Sequence, residues 1–208
     1  MIVPSTARRL DARRAPFYAT STHRVRSLST EGPPLNVELV RTTATDEPVL
    51  GRLLQLYGYD FSEVVGMDVG DDGLFDVGTT LARCWAEPSR HVFWCKVDAK
   101  LAGFAILDER SRLTGDPGVV DIAEFFVMRK YRRQGVGSIF ATRVFDLYPR
   151  RWEVRERAQN TAARAFWRKA IDRYTGGNFE EILLDDERWR GPMQSFDARA
   201  KATDAPAA

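Results

Sequence analysis

The stretch Val119–Ser138, VVDIAEFFVMRKYRRQGVGS, decides the fold of this 208-residue chain. Its first half is apolar apart from two carboxylates, and an apolar run of this length is typical of a buried strand rather than of a membrane span. Gly135 and Gly137 then interrupt the chain, and apolar residues with helical spacing follow from Ser138 to Tyr148. The stretch therefore predicts a central strand, a glycine turn and the start of a helix in succession.

The glycine turn has the features of a phosphate-binding loop. The first amides of a helix have no partner inside the helix and carry the positive end of its dipole, so they bind phosphate without a dedicated side chain. No lysine follows Gly137, which excludes a Walker loop, and Phe140 stands where a dinucleotide-binding fingerprint has its third glycine. The pattern that remains is Arg/Gln-x-x-Gly-x-Gly, which residues 132–137 fulfil as RRQGVG.

This pattern resembles the pyrophosphate loop of the GCN5-related N-acetyltransferases, the GNAT superfamily, which use it to hold coenzyme A. A downstream segment, Asn160–Trp167 (NTAARAFW), is similar to the superfamily's Asn-x-x-Ala-x-x-Phe-Tyr, with Trp167 in place of the tyrosine. The resemblance covers about residues 37–184. It implies an α/β (mixed α+β) fold with a central mixed, mostly antiparallel twisted sheet flanked by helices and a splayed central strand pair. The alternative is a glycine turn in an ordinary α/β domain.

The resemblance also implies an enzyme that uses acetyl-CoA as co-substrate and transfers acetyl directly to an amine. The acceptor is a small-molecule or peptide amine that the sequence does not identify. The resemblance implies that the cofactor is held by the main chain of Phe125, Phe126 and Val127, by the loop residues Arg132, Arg133, Gln134, Gly135, Val136, Gly137 and Ser138, and by Asn160 and Trp167 on the following helix.

Two carboxylates on the apolar strand are candidates for the catalytic base, because desolvation raises the pKa of a carboxyl group toward the range where it accepts a proton from an ammonium. We favour Glu124 over Asp121. On a regular strand the two side chains point to opposite faces of the sheet, unless a bulge intervenes. The alternative for each is a structural role, in which the carboxylate pairs with an arginine or a backbone amide.

The sequence departs from the family pattern at the residue that would protonate the leaving thiolate, because Trp167 replaces the tyrosine. The indole N–H of Trp167 cannot supply a proton as a phenol can. Tyr174, two helical turns further on, is the candidate that replaces it, and Tyr131 and water are the alternatives. The missing tyrosine motivates a second hypothesis, in which a protein of the same fold binds acetyl-CoA or coenzyme A as a sensor or interaction module without catalysis.

Composition limits the remaining function classes. The net charge of +2 is too small to make nucleic acid a general partner. Cys84 and Cys95 form no CxxC pair and accompany no histidine cluster, so we predict reduced thiols, no metal site and a cytoplasmic location. No apolar run is long enough for a membrane span, and no membrane partner is predicted. Monomer and homodimer are both compatible with the sequence.

We divide the chain into three segments. Residues 1–34 are rich in Arg and Ser and are predicted to be a disordered basic extension, residues 35–190 form the GNAT domain, and residues 191–208 are a flexible tail. Four interpretations of the basic extension remain: a passive tail, an over-long start, a transit peptide and an arm that contacts RNA. The last of these would make the protein nucleic-acid-associated. Besides the central strand, the pattern predicts strands at 35–40, 91–97, 101–107, 152–157 and 179–184 and helices at 48–59, 74–85, 138–148 and 160–174.

Residues 60–77 contain six acidic side chains and no lysine or arginine. Their spacing does not match a calcium loop, which also needs a terminal glutamate. In GNAT proteins the region after the first helix helps to form the acceptor site. If the resemblance holds, this acidic stretch favours a cationic amine acceptor by electrostatics. The alternative is a solvated loop.

Overall fold

The computed structural model describes residues 35–199. The predicted basic extension at 1–34 and the residues from 200 onward lie outside the described part of the chain. Within that part, no helix is both long and apolar enough to cross a bilayer.

Strands and helices follow one another along the described residues in nearly the predicted order. Their bounds are β1 (Val37–Arg41), α1 (Glu47–Val65), α2 (Thr80–Ala86), β2 (Arg90–Val97), β3 (Lys100–Asp108), β4 (Val119–Val127), α3 (Val136–Phe145), β5 (Arg151–Arg155), α4 (Thr161–Thr175), β6 (Glu180–Asp185) and β7 (Arg190–Asp197). Short 3-10 turns precede α1 at Ala44–Asp46 and follow β4 at Arg129–Tyr131.

The strands form one seven-stranded sheet in the order β1-β2-β3-β4-β5-β7-β6. All neighbouring strands are antiparallel except β4 and β5, which are parallel. Successive residues of a strand point to opposite faces, so Phe104 and Ala105 enter two different apolar layers. The layer of Phe104 contains α1 and α2, and the layer of Ala105 contains α3 and α4. The prediction of a mixed, mostly antiparallel sheet flanked by helices is confirmed.

The parallel pair at the centre of the sheet comes apart halfway along. β4 pairs with β5 only from Val119 to Ile122, whereas its pairing with β3 continues to Val127. Beyond Ile122, β4 therefore has a free edge where β5 would otherwise lie. This opening, which we call the wedge, is the splayed strand pair that the resemblance implies.

Two helices differ from the predicted bounds. α1 continues to Val65 instead of ending at residue 59, and Gly66 ends it with a left-handed φ of 68°. α2 begins only at Thr80, because the preceding residues are held in a turn in which Asp76 Oδ1 accepts a hydrogen bond from the Gly78 N–H (2.7 Å). The acidic stretch at 60–77 is therefore partly helical.

The prediction of a flexible tail from residue 191 is wrong for residues 191–197. They belong to β7, which lies between β5 and β6, and Gln194 and Phe196 are buried there. Gly191 and Pro192 obscure the strand pattern at the start of this segment. The strand forms because β5 and β6 both pair with it, and a local pattern does not show such partners. The domain thus extends at least to Asp197.

Candidate active site

A cavity of about 790 Å³ opens at the wedge. Its walls come from α1, α2, the diverging ends of β4 and β5, and the first turns of α4. The lining residues include Tyr57, Asp121, Glu124, Asn160 and Trp167. The cavity therefore lies between the diverging ends of β4 and β5 and α4, the helix that carries the Asn160–Trp167 motif.

Glu124 projects from β4 into this cavity and is held by a tyrosine of α1. The Tyr57 hydroxyl donates a hydrogen bond to Glu124 Oε2 at 2.7 Å. Burial raises the pKa of Glu124, and the hydrogen bond from Tyr57 and the charges of Arg90 and Arg155 oppose that rise. Burial and the adjacent carboxylate also raise the pKa of Tyr57. The site thus contains a carboxyl group whose affinity for protons is increased and whose position is fixed.

A bulge in β4 brings Asp121 to the same face as Glu124. Glu124 pairs with Ile106 and Ile122 pairs with the next residue of β3, so Ala123 has no partner across the strand pair. The extra residue reverses the alternation of side chains, and both carboxylates line the cavity. From the sequence, the two carboxylates were expected on opposite faces unless a bulge lay between them, and the structure contains such a bulge.

Asp121 differs from Glu124 in its partners. Its two carboxylate oxygens accept hydrogen bonds from Arg155 Nε and Nη2 at 2.9 and 2.8 Å, and the side chain is 1% exposed. Burial raises the pKa of Asp121, and the guanidinium of Arg155 opposes this. Both oxygens are thus engaged in a buried ion pair that joins β4 to β5, which is the arrangement expected of a structural carboxylate.

The predicted phosphate loop leads into the N-terminus of α3. Gly135 caps the helix with a φ of 81°, and the first helical bond runs from the Ile139 N–H to the Gly135 carbonyl (3.1 Å). The N–H groups of Val136, Gly137 and Ser138 precede that bond and have no partner inside the helix. A Cβ on Gly137 would lie 3.1 Å from the ring of Phe166, so the glycine lets α3 approach α4.

The polar side chains of the loop have different partners. Arg132 Nε donates to the Val127 carbonyl (2.6 Å), and Arg132 Nη2 pairs with Asp60 on α1. Gln134 Nε2 donates to the Lys130 carbonyl (2.7 Å) and so closes the turn. Arg133 is exposed and has no ion-pair partner among residues 35–199. Of the two arginines of the loop, Arg132 is therefore neutralised by Asp60, whereas the guanidinium of Arg133 is exposed to solvent.

The end of β4 is anchored on both sides of the sheet. The ring of Phe125 packs against Trp167 and Phe140, with centroids 4.8 and 4.9 Å away. Phe126 points to the other layer, where its ring contacts Tyr57 (5.8 Å). With its side chains fixed in this way, the strand exposes main-chain groups along the free edge at the wedge, apart from the Val127 carbonyl that binds Arg132.

The two motif residues of α4 lie in the cavity wall. Asn160 Oδ1 accepts a hydrogen bond from the Ala163 N–H (3.1 Å), so Asn160 is the N-cap of the helix. Trp167 is buried and packs on Phe125. The structure therefore brings Asn160 and Trp167 together with Glu124, as the site prediction required.

Tyr174 lies elsewhere. Its hydroxyl donates to Asp146 Oδ1 (2.9 Å), its ring packs against Phe145 and Phe196, and it does not line the cavity. Burial and the Asp146 carboxylate raise the pKa of Tyr174. Seven residues of α-helix place Tyr174 about 10 Å along the axis from Trp167, too far to share its position. Tyr131 is also buried and outside the cavity wall.

Sequence reasoning missed Tyr57. Among the described residues that line the cavity it is the only tyrosine. The available signal was its position on α1, where it follows Leu50, Leu53 and Leu54 at helical spacing and so lies on the buried side. A polar hydroxyl on such a face needs a partner, and Glu124 provides it.

The acidic stretch does not form an acidic cavity wall. Asp60 and Glu63 lie on α1, and Asp60 pairs with Arg129 (2.7 Å) and with Arg132. Among residues 60–77, all of which the structure describes, Asp76 is the only acidic residue in the wall. The same wall contains five arginines: Arg83, Arg90, Arg112, Arg155 and Arg157. Residues 60–77 therefore contribute one carboxylate to the cavity wall and not the acidic surface expected from the sequence.

Residues 35–199 contain no group of three or more His, Cys, Asp or Glu side chains arranged to hold a metal ion. Cys84 and Cys95 are buried and form no disulfide. Burial raises the pKa of Cys84 to about 11 and that of Cys95 to about 12, so both thiols stay protonated at neutral pH.

Comparison with known proteins agrees with this geometry. A sequence model described as the Acetyltransferase (GNAT) family matches residues 57–171. No curated protein sequence shows significant similarity to the chain.

The fold is shared with solved acetyltransferase structures. An acetyltransferase from Thermus thermophilus is 15% identical with a TM-score of 0.56, and the match covers 79% of this chain and 98% of that one. The PaiA N-acetyltransferase from Thermoplasma acidophilum, solved with coenzyme A, is 10% identical with a TM-score of 0.53 over 78% and 99% of the two chains. The ribosomal-protein-S18-alanine N-acetyltransferase from Escherichia coli is 16% identical with a TM-score of 0.50 over 78% and 94%. The family match, which spans more than half of the sequence, shows that this chain belongs to the GNAT family of acetyltransferases.

Proposed function

We propose that the protein is an acetyl-CoA-dependent N-acetyltransferase that transfers acetyl directly to an amine bound in the cavity at the wedge. The observation that carries this proposal is the position of Glu124. A carboxyl group with a raised pKa lies in the same cavity as the free edge of β4 and the N-terminus of α4. An amine placed there has a proton acceptor next to the strand edge that would bind the thioester.

The loop and strand residues fit the cofactor. The unpartnered N–H groups of Val136, Gly137 and Ser138 suit a pyrophosphate, and Arg133 adds a positive charge. The free edge of β4 at Phe125–Val127 offers main-chain groups to an amide-containing arm such as pantetheine. When bound, acetyl-CoA supplies the activated acetyl thioester. Main-chain donors set in advance by the strand stabilise the negative charge that develops on its carbonyl oxygen.

Glu124 is the proposed base. An amine acceptor arrives as an ammonium at neutral pH, and its positive charge is attracted to the carboxylate. Tyr57 occupies Oε2, which leaves Oε1 to take the proton and produce the neutral amine that attacks. The reacting amine of the acceptor therefore enters the cavity as a positively charged ammonium, in line with the cationic acceptor suggested by the sequence.

Tyr57 is the proposed source of the proton for the departing thiolate. It is the only tyrosine among the described residues in the cavity wall, whereas Tyr174 and Tyr131 lie in the core. Its contact with Glu124 offers a path by which the proton taken from the ammonium reaches the phenol. Direct transfer is supported by the two cysteines, because neither Cys84 nor Cys95 lies in the cavity wall. Their burial without a disulfide also supports the proposed cytoplasmic location.

Calorimetric titration with acetyl-CoA and coenzyme A, together with thiol release across a panel of amines, tests the proposal. Binding with amine-dependent thiol release is the expected result. Binding without release on every amine would favour the non-catalytic sensor, for which the tryptophan at position 167 is the motivation. Absence of binding would contradict the assignment of the loop. The alternative of a nucleic-acid-associated protein depends on residues 1–34, and deleting them should leave acetyl-CoA binding intact.

A further inference from the structure

The arginines of the cavity wall fall into two groups. Three are neutralised: Arg83 pairs with Glu87 (2.5 Å), Arg90 lies between Glu87 and Asp108 (3.1 and 3.4 Å), and Arg155 pairs with Asp121 (2.8 Å). The other two, Arg112 and Arg157, are exposed and have no ion-pair partner among residues 35–199. The wall therefore carries two guanidinium groups whose charge no neighbouring carboxylate offsets.

Arg157 is nevertheless held in place. Its guanidinium lies over the ring of Trp189, 5.0 Å from the centroid, and Arg155 lies over the same ring at 4.6 Å. The Trp189 indole donates a hydrogen bond to the Glu156 carbonyl (3.2 Å), which fixes the ring against the end of β5. Stacking on an aromatic ring orients a guanidinium without using its N–H donors. Arg157 thus has a supported position and free donors.

The acidic residues of the wall do not cancel these two charges. Asp108 and Asp121 are paired with arginines, and Glu124 is hydrogen-bonded to Tyr57. Burial raises the pKa of Glu156 to about 8, so this side chain is mostly protonated at neutral pH. Asp76 remains, and its Oδ1 accepts the Gly78 N–H. The cavity wall therefore offers two carboxylates that no arginine or lysine of residues 35–199 pairs with, Glu124 at the strand edge and Asp76, and, separately, two arginines that suit an anion.

We propose that the acceptor is an amine that also carries a carboxylate, and that Arg112 and Arg157 bind this carboxylate while the ammonium lies at Glu124. The inference rests on the proposed acetyl transfer and specifies its substrate class. A guanidinium presents parallel N–H donors that match a carboxylate. A polyamine would instead bring a second positive charge against the two arginines, which is unfavourable. Charge complementarity therefore selects amino acids or related amino carboxylates over diamines.

Matched pairs of amines that differ in the carboxylate test this inference on the full chain. The pairs are lysine and cadaverine, phenylalanine and phenethylamine, and 6-aminohexanoate and hexylamine, each assayed by thiol release with saturating acetyl-CoA. In at least one pair we expect kcat/KM for the carboxylate member to be tenfold or more higher. Arg112→Gln and Arg157→Gln should each remove most of that preference, because a charge-assisted contact is lost. They should change kcat/KM for phenethylamine and hexylamine, and the Kd for acetyl-CoA, less than twofold, whereas kcat/KM for cadaverine should rise because a like charge is removed.

Two further variants sharpen the test. Arg157→Glu should reverse the preference, so that cadaverine becomes the better member of its pair. Arg173→Gln is the matched control, since Arg173 is an exposed arginine of α4 outside the cavity wall, and it should behave as the unmodified chain. Absence of a preference in every pair would overturn the inference. Equal losses on both members of a pair, or weaker acetyl-CoA binding in the arginine variants, would overturn it as well.

Failure of the inference can be told apart from failure of the proposed function. Equal thiol release within all pairs leaves acetyl transfer standing and removes the carboxylate. If acetyl-CoA binds and no amine releases thiol, transfer fails, and the carboxylate is then tested by binding alone. In that case 6-aminohexanoate, but not hexylamine, should change the fluorescence of Trp189, and the change should be absent in Trp189→Phe and in Arg157→Gln. Equal responses to the two probes, or none, would overturn the inference.

Discussion

Tyr57 and Glu124 are 67 residues apart in the sequence and share a 2.7 Å hydrogen bond that joins α1 to the centre of the sheet. The bond connects the helical layer that covers the cavity to the strand that would bind the thioester. It stabilises the ionised form of Glu124, whereas burial of the same carboxyl group stabilises the neutral form. These two opposing effects set the pH range in which Glu124 can act as a base.

Glu124→Gln should remove the base and keep the shape of the site. We expect kcat/KM to fall about 100-fold, in the usual range for loss of a general base, with the Kd for acetyl-CoA unchanged. In the unmodified chain the rate should rise with pH through the raised pKa of Glu124, because the protonated carboxyl group cannot accept a proton. The pH profile of the variant should lack this rise. Glu63→Gln, on the exposed side of α1, serves as control, and a retained rise in Glu124→Gln would exclude Glu124 as base.

Tyr57→Phe should lower kcat, because the proposed proton donor for the thiolate is lost, and should also move the pH profile of the remaining activity. Without the donated hydrogen bond the ionised form of Glu124 is less stable, so its pKa should rise further, by about one unit. The rising limb of the rate profile should shift to higher pH by the same amount. Tyr59→Phe is the matched control, since Tyr59 belongs to the same helix and is 62% exposed. An unshifted limb would show that the hydrogen bond does not control Glu124.

Gly135→Asp should weaken acetyl-CoA binding at least tenfold in calorimetry. An aspartate places a negative charge at the N-terminus of α3, where the pyrophosphate is proposed to bind, and a side chain at a φ of 81° is strained. Gly115→Asp separates the two effects. Gly115 has a φ of 76° with open space around its Cβ position, so it suffers the same strain away from the loop. Equal binding by a folded Gly135→Asp variant would contradict the loop assignment.

Asp121→Asn should mainly destabilise the fold. It leaves the Arg155 guanidinium without its buried partner, which typically costs about 3–5 kcal/mol in the free energy of unfolding. Urea denaturation measures this loss. The double variant Asp121→Asn with Arg155→Met should recover part of it, because both charges are then absent. A stable Asp121→Asn variant with a large loss of rate would instead indicate that Asp121 is the base.

Glu156 should make the stability of the protein depend on pH. The side chain is 4% exposed, and its pKa rises from the ordinary value of 4.5 to about 8 on folding, chiefly through burial. The folded state therefore holds this proton more tightly than the unfolded chain. The group's contribution to stability is complete below about pH 4.5 and is lost as the pH rises toward about 8.

Glu156→Gln should remove this dependence and raise the free energy of unfolding at pH 8 by about 4 kcal/mol. Urea denaturation at pH 5 and at pH 8 measures the difference. Glu180→Gln, on exposed β6, is the control. An equal gain at both pH values would show that Glu156 does not titrate in this range.

The strand, the glycine turn and the two motifs could be predicted from the sequence because each is a local pattern. The apolar run that begins at Val119, the glycines at 135 and 137 and the cap at Asn160 depend on residues within a few positions of one another. The same holds for the proposed cofactor loop, whose candidate donors are main-chain groups. These features fix the fold family and half of the site.

The other half depends on partners far apart in the sequence. The bulge at Ala123 is defined only by pairing with β3, and the role of Asp121 only by Arg155 on β5. Tyr57 becomes a site residue through a contact with β4, and residues 191–197 become a strand through β5 and β6. No local pattern contains these partners.

The bulge also decides which mutations the gene can tolerate. Many substitutions at position 123 keep the same number of residues between Asp121 and Glu124 and so keep both carboxylates on the cavity side. An in-frame deletion of that single codon would place Glu124 two residues after Asp121, and regular alternation would then keep both carboxylates on the cavity side without a bulge. At this point of the chain, the side that Glu124 faces is set by its pairing with Ile106 of β3 and not by which residue fills position 123.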